Sequence, residues 1–251
     1  MTLPSSTTLR IQHISKQYGR SSGHALVALE DISCEVSAGE WVCLVGPSGC
    51  GKSTLLHIIA SLDRSTSGSI EVHGSIGFMF QEPTLFPWLN VQENVGFGLR
   101  MQKVDANVIS QKTDTYLKMV GLSEYKPAYP HQLSGGMKQR AALARMLILD
   151  PDILLMDEPF GSLDTQTKEQ LHEDLERIWR ETKKTIVFVT HDVYEAVRLG
   201  DIIHVFSSHP GRIKTTIPVD LPRPRSSTEE RFLRLAQQVR NELDNEPHDR
   251  V

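Results

Sequence analysis

The sequence predicts an α/β fold with a mainly parallel sheet, an N-terminal antiparallel β subdomain and an inserted α-helical subdomain. Three observations carry this expectation. Five segments are continuous apolar runs of strand length: "WVCLVG" at 41–46, "IGFMF" at 76–80, "DILLMD" at 152–157, "TIVFVT" at 185–190 and "IIHVFS" at 202–207. Strands covered by helices on both faces read this way, whereas half-buried strands alternate. The run at 41–46 passes into a glycine-rich loop and then a helical stretch, "TLLHIIASL". Finally, the segment from Thr84 to Gln132 is more polar and contains no such run.

Taken in order, residues 9–36 read as antiparallel strands. Ile32, Cys34 and Val36 alternate with Ser33 and Glu35, the period of a strand with one buried face. Helices are expected near Val91–Met101 and Asp105–Val120, with Gly121 as a C-cap. The tail from Pro218 is rich in proline and arginine, and then forms an amphipathic helix with Phe232, Leu235, Ala236, Val239 and Leu243 on one face. That face is expected to pack on the core, with contact to a partner as the lesser option.

Composition excludes several classes. The 251 residues are enough for a sizeable core. A formal net charge of −4 supplies no basic field for nucleic acid, and the cluster around Arg223 and Arg225 is short and broken by proline. The longest apolar runs are strand-sized, so no membrane span is expected, and "MTLPSSTTLR" has no secretory h-region. Cys34, Cys43 and Cys50 lack metal-ligand spacing and suit a reducing compartment.

Two motifs carry chemistry. "GPSGCGKST" at 46–54 has the spacing of a phosphate loop. Its backbone N–H groups would curl around phosphates, Lys52 would reach the β- and γ-phosphates, and the Ser53 hydroxyl would sit on Mg²⁺. "ILLMDEP" ends a buried strand in two carboxylates. Asp157 is placed to hold the Mg²⁺ shell. Glu158, one residue on, points differently and suits an attacking water, since a metal-bound carboxylate is a poor base. A further glycine-rich helix start, "LSGGMKQRAALAR" at 133–145, is a second anion site far from the first in sequence.

These motifs, in this order, resemble the nucleotide-binding subunit of an ABC transporter over about residues 8–215. Gly46, Pro47, Ser48, Gly49, Cys50, Gly51, Lys52, Ser53 and Thr54 are similar to the Walker A loop; Cys50 is given no chemistry of its own. Gln81, in "FMFQEP", resembles the Q-loop glutamine, with a contact to Mg²⁺ or the attacking water. "LSGGMKQR" resembles the ABC signature, which implies ATP contacts from Ser134, Gly135, Gly136 and Gln139. Asp157 and Glu158 resemble Walker B and its catalytic glutamate, and "GSLD" the D-loop with Asp164, though Ser162 stands where many relatives have alanine. His191, in "VTHD", resembles the switch histidine, and Tyr18, in "KQYG", the aromatic that stacks on adenine.

The resemblance implies a single ABC ATPase domain over 1–251. The α/β core and β subdomain would occupy 8–83 and 136–215, the helical subdomain with the signature 84–135, and the tail and helix 216–251. It also implies ATP and Mg²⁺ as cofactors and head-to-tail pairing with a second copy or a homologous ATPase. The signature of one chain would then cap the ATP held by the other. Transmembrane permease subunits would be direct partners and a solute-binding protein an indirect one, with the chain peripheral on the cytoplasmic face of the inner membrane. "EPTLFPWLNVQENVGFGL" at 82–99, "SSHPGRI" at 207–213 and "DLPRPR" at 220–225 resemble the nitrate/sulfonate/taurine importer group, whose substrates also include bicarbonate. Leu85, Phe86, Trp88 and Leu89 either form a groove for a partner's short helix or pack the helical subdomain. The alternative function is a non-transport ABC ATPase acting on another macromolecule. A P-loop kinase has no use for LSGGMKQR, and a GTPase would carry an Asn-Lys-x-Asp motif that is not found here.

Overall fold

The computed structural model describes residues 7–19, 25–161 and 163–244. The elements in order are β1 (Thr7–Tyr18), β2 (Leu26–Ser37), β3 (Trp41–Val45), α1 (Lys52–Ile59), β4 (Ser67–Val72), β5 (Ile76–Met79), α2 (Val91–Met101) and α3 (Ala106–Met119). There follow α4 (Gly135–Leu147), β6 (Ile153–Asp157), α5 (Thr165–Thr182), β7 (Thr185–Thr190), α6 (Val193–Leu199), β8 (Ile202–Phe206), β9 (Ile213–Pro218) and α7 (Glu230–Asp244). The chain divides into two compact units, Met1–Gly74 with Lys183–Val251, and Ser75–Thr182.

In the first unit, β1 lies between β2 and β4 and is antiparallel to both. The antiparallel region expected at 9–36 is present, with Ile32 and Val36 buried. It gains a third strand, β4, which the sequence did not announce because "SGSIEV" has few apolar residues. β3 runs parallel to β7 on one side and β8 on the other, and every residue of β3 and β7 is buried. β9 closes this side antiparallel to β8. Helix α7 packs through Phe232, Ala236 and Val239, as its pattern predicts, while Leu235 and Leu243 stay half-exposed. Arg225 is only 7 % exposed. Its guanidinium donates to the carbonyls of Val197, Arg198 and Gly200 at the C-terminal end of α6. Arg223 pairs with Asp201 at 2.8 Å and lies over the Trp41 ring. The two arginines therefore serve to fasten the tail.

In the second unit, β5 and β6 pair in parallel. Helix α2 spans the expected residues. Its start is a capping box in which the Asn90 side chain accepts from the Glu93 N–H and the Glu93 carboxylate accepts from the Asn90 N–H. Helix α3 opens on Asp105 and is followed by Gly121 at φ +70°. This unit is larger than the helical insert expected at 84–135, because β5, β6, α4 and α5 cluster with the insert's helices. Among the described residues no helix is long and apolar enough to cross a membrane.

Candidate active site

The first unit supplies a phosphate loop, built at the end of the buried strand β3. Lys52 is 4 % exposed, and its ammonium donates to the carbonyls of Gly46 and Pro47 at 2.8 Å each and lies 3.4 Å from Cys50 Sγ. A buried ammonium must be paired, and here the loop's own backbone satisfies it. Burial pushes the Cys50 thiol up, against the pull of Lys52. Gly51 holds φ +97°, and a Cβ there would stand 2.6 Å from Leu29 Cδ2 and 2.7 Å from the Ala28 carbonyl. Only glycine fits that position. Pro47, Ser48, Gly49 and Ser53 are exposed along the loop, and Thr54 is half-buried.

Tyr18 ends β1 with 40 % of its surface exposed. Its hydroxyl donates to Asp63 Oδ2 at 2.8 Å. Burial and the bond to Asp63 raise its pKa, while a hydrogen bond from Thr54 acts against them. His191 is exposed just beyond β7. The turn that carries it is fixed by Thr190, whose hydroxyl accepts from the Asp192 N–H at 2.9 Å and donates to the Glu195 carboxylate. Asp192 in turn caps α6 through the Tyr194 and Glu195 N–H groups.

The second unit holds Asp157, Glu158 and the glycine-rich start of α4. Asp157, 7 % exposed, is the last residue of β6. Glu158 follows at φ +41°, a conformation a non-glycine residue holds only under constraint. Its carbonyl accepts from the Gly161 N–H at 3.2 Å, which closes a tight turn after the strand. Asp164 accepts from the Thr167 N–H at 3.0 Å, and its pKa is lowered by the Thr167 side chain first and by this N–H second. Ser162 lies outside the described residues.

Ser134 caps α4, accepting from the Met137 N–H at 3.3 Å. Gly135 and Gly136 then behave differently. Gly136 is buried, and a Cβ would stand 2.3 Å from Thr167 Cγ2. Gly135 is exposed, with Leu163 Cδ2 at 3.5 Å as the nearest neighbour of a Cβ, an ordinary contact. A cavity of about 480 Å³ opens beside Ser134 and Gly136, lined also by Tyr125, Arg140, Thr167 and Glu173. Gln139 does not face outward. It is 1 % exposed, and its amide donates to the Gln81 carbonyl at 3.0 Å. Gln81 itself is exposed. Farther along α4, Arg145 donates to the Thr84 carbonyl at 2.7 Å. Two residues of the signature helix thus hold the backbone of 81–84.

The family can now be assigned. A model described as ABC transporter matches residues 29–161. The chain belongs to the ABC transporter ATP-binding family. It is 48% identical over 206 residues to the nitrate import ATP-binding protein of Synechocystis sp., covering 79% of this chain and 77% of that one. It is 42% identical over 240 residues to the aliphatic sulfonates import ATP-binding protein of Bacillus cereus, covering 92% and 94%. Among solved structures, a dimeric ATP-binding cassette in a post-hydrolysis state bound to ADP and Pi matches with a TM-score of 0.77 at 31% identity, covering 85% of this chain and all of that one. The α/β fold is that of these cassettes, and the chain is an ATP-binding subunit with ATPase activity.

Ser53 in the first unit and Gln81 and Asp157 in the second each carry an oxygen donor of the kind Mg²⁺ takes, one of them a carboxylate. Among the described residues no group of three or more His, Cys, Asp or Glu gathers to hold a metal. Mg²⁺ characteristically takes one or two carboxylates and completes its shell with water and substrate phosphates. Sequence reasoning missed Asp63, Thr167 and Arg145. Their roles arise from contacts made across 45, 31 and 61 residues of sequence.

Proposed function

We propose that this chain is the ATP-hydrolysing subunit of an importer for a small anion of the nitrate, sulfonate, taurine or bicarbonate type, peripheral on the cytoplasmic face of the membrane. The observation that carries this reading is the pair of relatives at 48% and 42% identity, both named as import ATP-binding proteins, one for nitrate and one for aliphatic sulfonates.

In the proposed mechanism Lys52 leaves the carbonyls of Gly46 and Pro47 for phosphate oxygens, while the loop's N–H groups bind the remaining charge. Tyr18 stacks on the adenine. Ser53, Gln81 and Asp157 would hold Mg²⁺, which shields phosphate charge during transfer. Glu158 accepts the proton of the attacking water, and His191 contacts the transferring phosphoryl group. Ser134 and Gly135 act on ATP held by a second copy. The room left at Gly135 supports this, because nothing among the described residues comes closer than 3.5 Å to a Cβ placed there.

A permease helix would dock on the segment after Gln81. Leu85 is buried, while Phe86 is half-buried with its ring tilted against Phe97 at a centroid distance of 4.6 Å. Trp88 is 70 % exposed and Leu89 half-exposed, which leaves an apolar surface for a partner. The Asn94 amide holds the Phe86, Leu89 and Asn90 carbonyls and keeps this loop in shape.

Purification of the tagged chain from membranes tests the reading. Membrane-spanning subunits should co-purify, and ribosomes or DNA in their place would overturn it. Glu158→Gln should keep ATP binding, lower turnover by about 10²–10⁴-fold and trap an ATP-dependent dimer on size-exclusion chromatography. Hydrolysis at the normal rate would remove Glu158 from its role.

A further inference from the structure

Lys16 and Tyr18 are two residues apart on β1 and so share a face of the strand. Lys16 is 8 % exposed, and its ammonium lies 4.6 Å from the centroid of the Tyr18 ring. The same ammonium donates to Asp63 Oδ1 at 2.7 Å and to the Arg64 carbonyl at 2.7 Å. Asp63 also accepts from the Tyr18 hydroxyl at 2.8 Å and from the Arg64 N–H at 2.7 Å. These bonds hold the Asp63 carboxyl well down, at about 2, with Lys16 the first cause and Tyr18 the second. The ring is therefore fixed at its hydroxyl end by Asp63 and carries a cation on one face, while 40 % of its surface stays open.

We propose that Lys16 and Asp63 are positioning residues that turn Tyr18 into a one-sided platform for a purine base. This rests on the reading of Tyr18 as the adenine contact and adds what makes it effective. A free tyrosine at a strand end loses rotamer freedom when a base stacks on it. Here the bond from the hydroxyl to Asp63 and the Lys16 ammonium over the ring hold it before the ligand arrives. A cation over one face draws ring electron density toward itself, since the ring quadrupole presents negative charge at the face. The opposite face then repels an electron-rich base less, which favours a purine in an offset stack.

The test separates base recognition from phosphate recognition. The affinities of ATP and of inorganic tripolyphosphate, each with Mg²⁺, are measured by calorimetry on the purified full chain and on Lys16→Met, Asp63→Ala and Tyr18→Ala. Lys16→Met and Asp63→Ala should each weaken ATP about three- to tenfold and leave tripolyphosphate within about twofold. In a Tyr18→Ala background neither should cost more ATP affinity, and Lys16→Arg should restore it. Equal losses for ATP and tripolyphosphate would make the cluster a general scaffold and overturn the proposal. If Tyr18→Ala weakens ATP while the other two variants do not, the adenine contact stands and the proposal fails. If Tyr18→Ala has no effect on ATP, the adenine contact itself is wrong. Lys16→Met keeps the buried stem and carries the test alone if Asp63→Ala melts below the assay temperature.

Discussion

Helix α1 is capped by Gly51 and α4 begins at Gly135, so both starts are glycine-rich, yet they are finished differently. At α1 the chain closes on itself: Lys52 is buried and its ammonium is satisfied by the carbonyls of its own loop, while Gly51 is pressed against Leu29 and the Ala28 carbonyl. At α4 the cap is a single serine and Gly136 packs on Thr167, but Gly135 faces outward with room to spare. A cradle that carries its own cation can bind phosphate alone. A helix start that offers N–H groups and a dipole, with its nearest cations Lys138 and Arg140 farther along the helix and none bonded to its own turn as Lys52 is, leans more on partial charge. The contrast suggests one complete half-site and one that depends on what is brought to it.

The largest effect should come from removing the cation. Lys52→Ala leaves the Gly46 and Pro47 carbonyls without their donor and the phosphates without a charge-assisted partner. Loss of ATP affinity or turnover by about 10²-fold or more is expected, measured by nucleotide titration and phosphate release. Binding within tenfold of the unsubstituted chain would mean that the loop's N–H groups suffice, and the two helix starts would then be alike.

The glycines sharpen the contrast at the level of stability. Gly51→Ala places a Cβ at φ +97° against backbone and should cost about 3 kcal/mol, combining left-handed strain with overpacking. No neighbouring truncation should rescue it, because the Ala28 carbonyl cannot be cut away. Gly136→Ala meets only the Thr167 methyl group, so its cost should be nearer 1–2 kcal/mol. Thr167→Ala in the same chain should restore most of that loss. Urea denaturation of the two single variants and the double variant provides the check. A Gly136→Ala loss that Thr167→Ala does not relieve would show that the glycine serves something besides this contact.

Much of the site was legible because its chemistry is local in sequence. Gly46–Thr54, Asp157–Glu158 and Ser134–Gly136 each place their atoms within a few residues, at the junction of a buried strand or a cap with a helix. The buried strands β3, β6 and β7 announced themselves as apolar runs for the same reason. What could not be read is what crosses the chain. β4 has too little apolar character to signal a strand and is held by its register with β1. Gln139 reads as part of a nucleotide-facing motif, yet the helix turns its amide inward to the Gln81 carbonyl. The line Leu85, Phe86, Trp88 and Leu89 reads as one apolar patch, but the Asn94 bonds fold it so that Leu85 is covered and Trp88 is exposed. Spacing reveals which residues are near in the chain, and burial depends on partners that spacing does not show.

The smallest stability effect, and the most telling variant, belongs to Gly135. It is the first residue of α4 and exposed, and a side chain there meets nothing closer than 3.5 Å. Gly135→Asp adds an acid in the first turn of a helix, where the dipole favours it. Thermal or urea unfolding should therefore change by no more than about 0.5 kcal/mol. If α4 serves a phosphate, the same acid opposes that anion and should abolish ATP-dependent dimerisation. Forced mixed dimers then show whose ATP α4 touches. A Lys52→Ala chain beside a Gly135→Asp chain holds one intact pair of loop and signature if sites are shared between chains, and none if each chain keeps its own. A Lys52→Ala/Gly135→Asp double variant beside an unsubstituted chain reverses the count. ATP-dependent cross-linking should survive in the first pair and vanish in the second. Because Gly135→Asp is expected to leave the fold intact, loss of clamping cannot be ascribed to unfolding. Clamping in the second pair alone would instead mean that each chain completes its own site, and that the outward-facing glycine serves its own ATP.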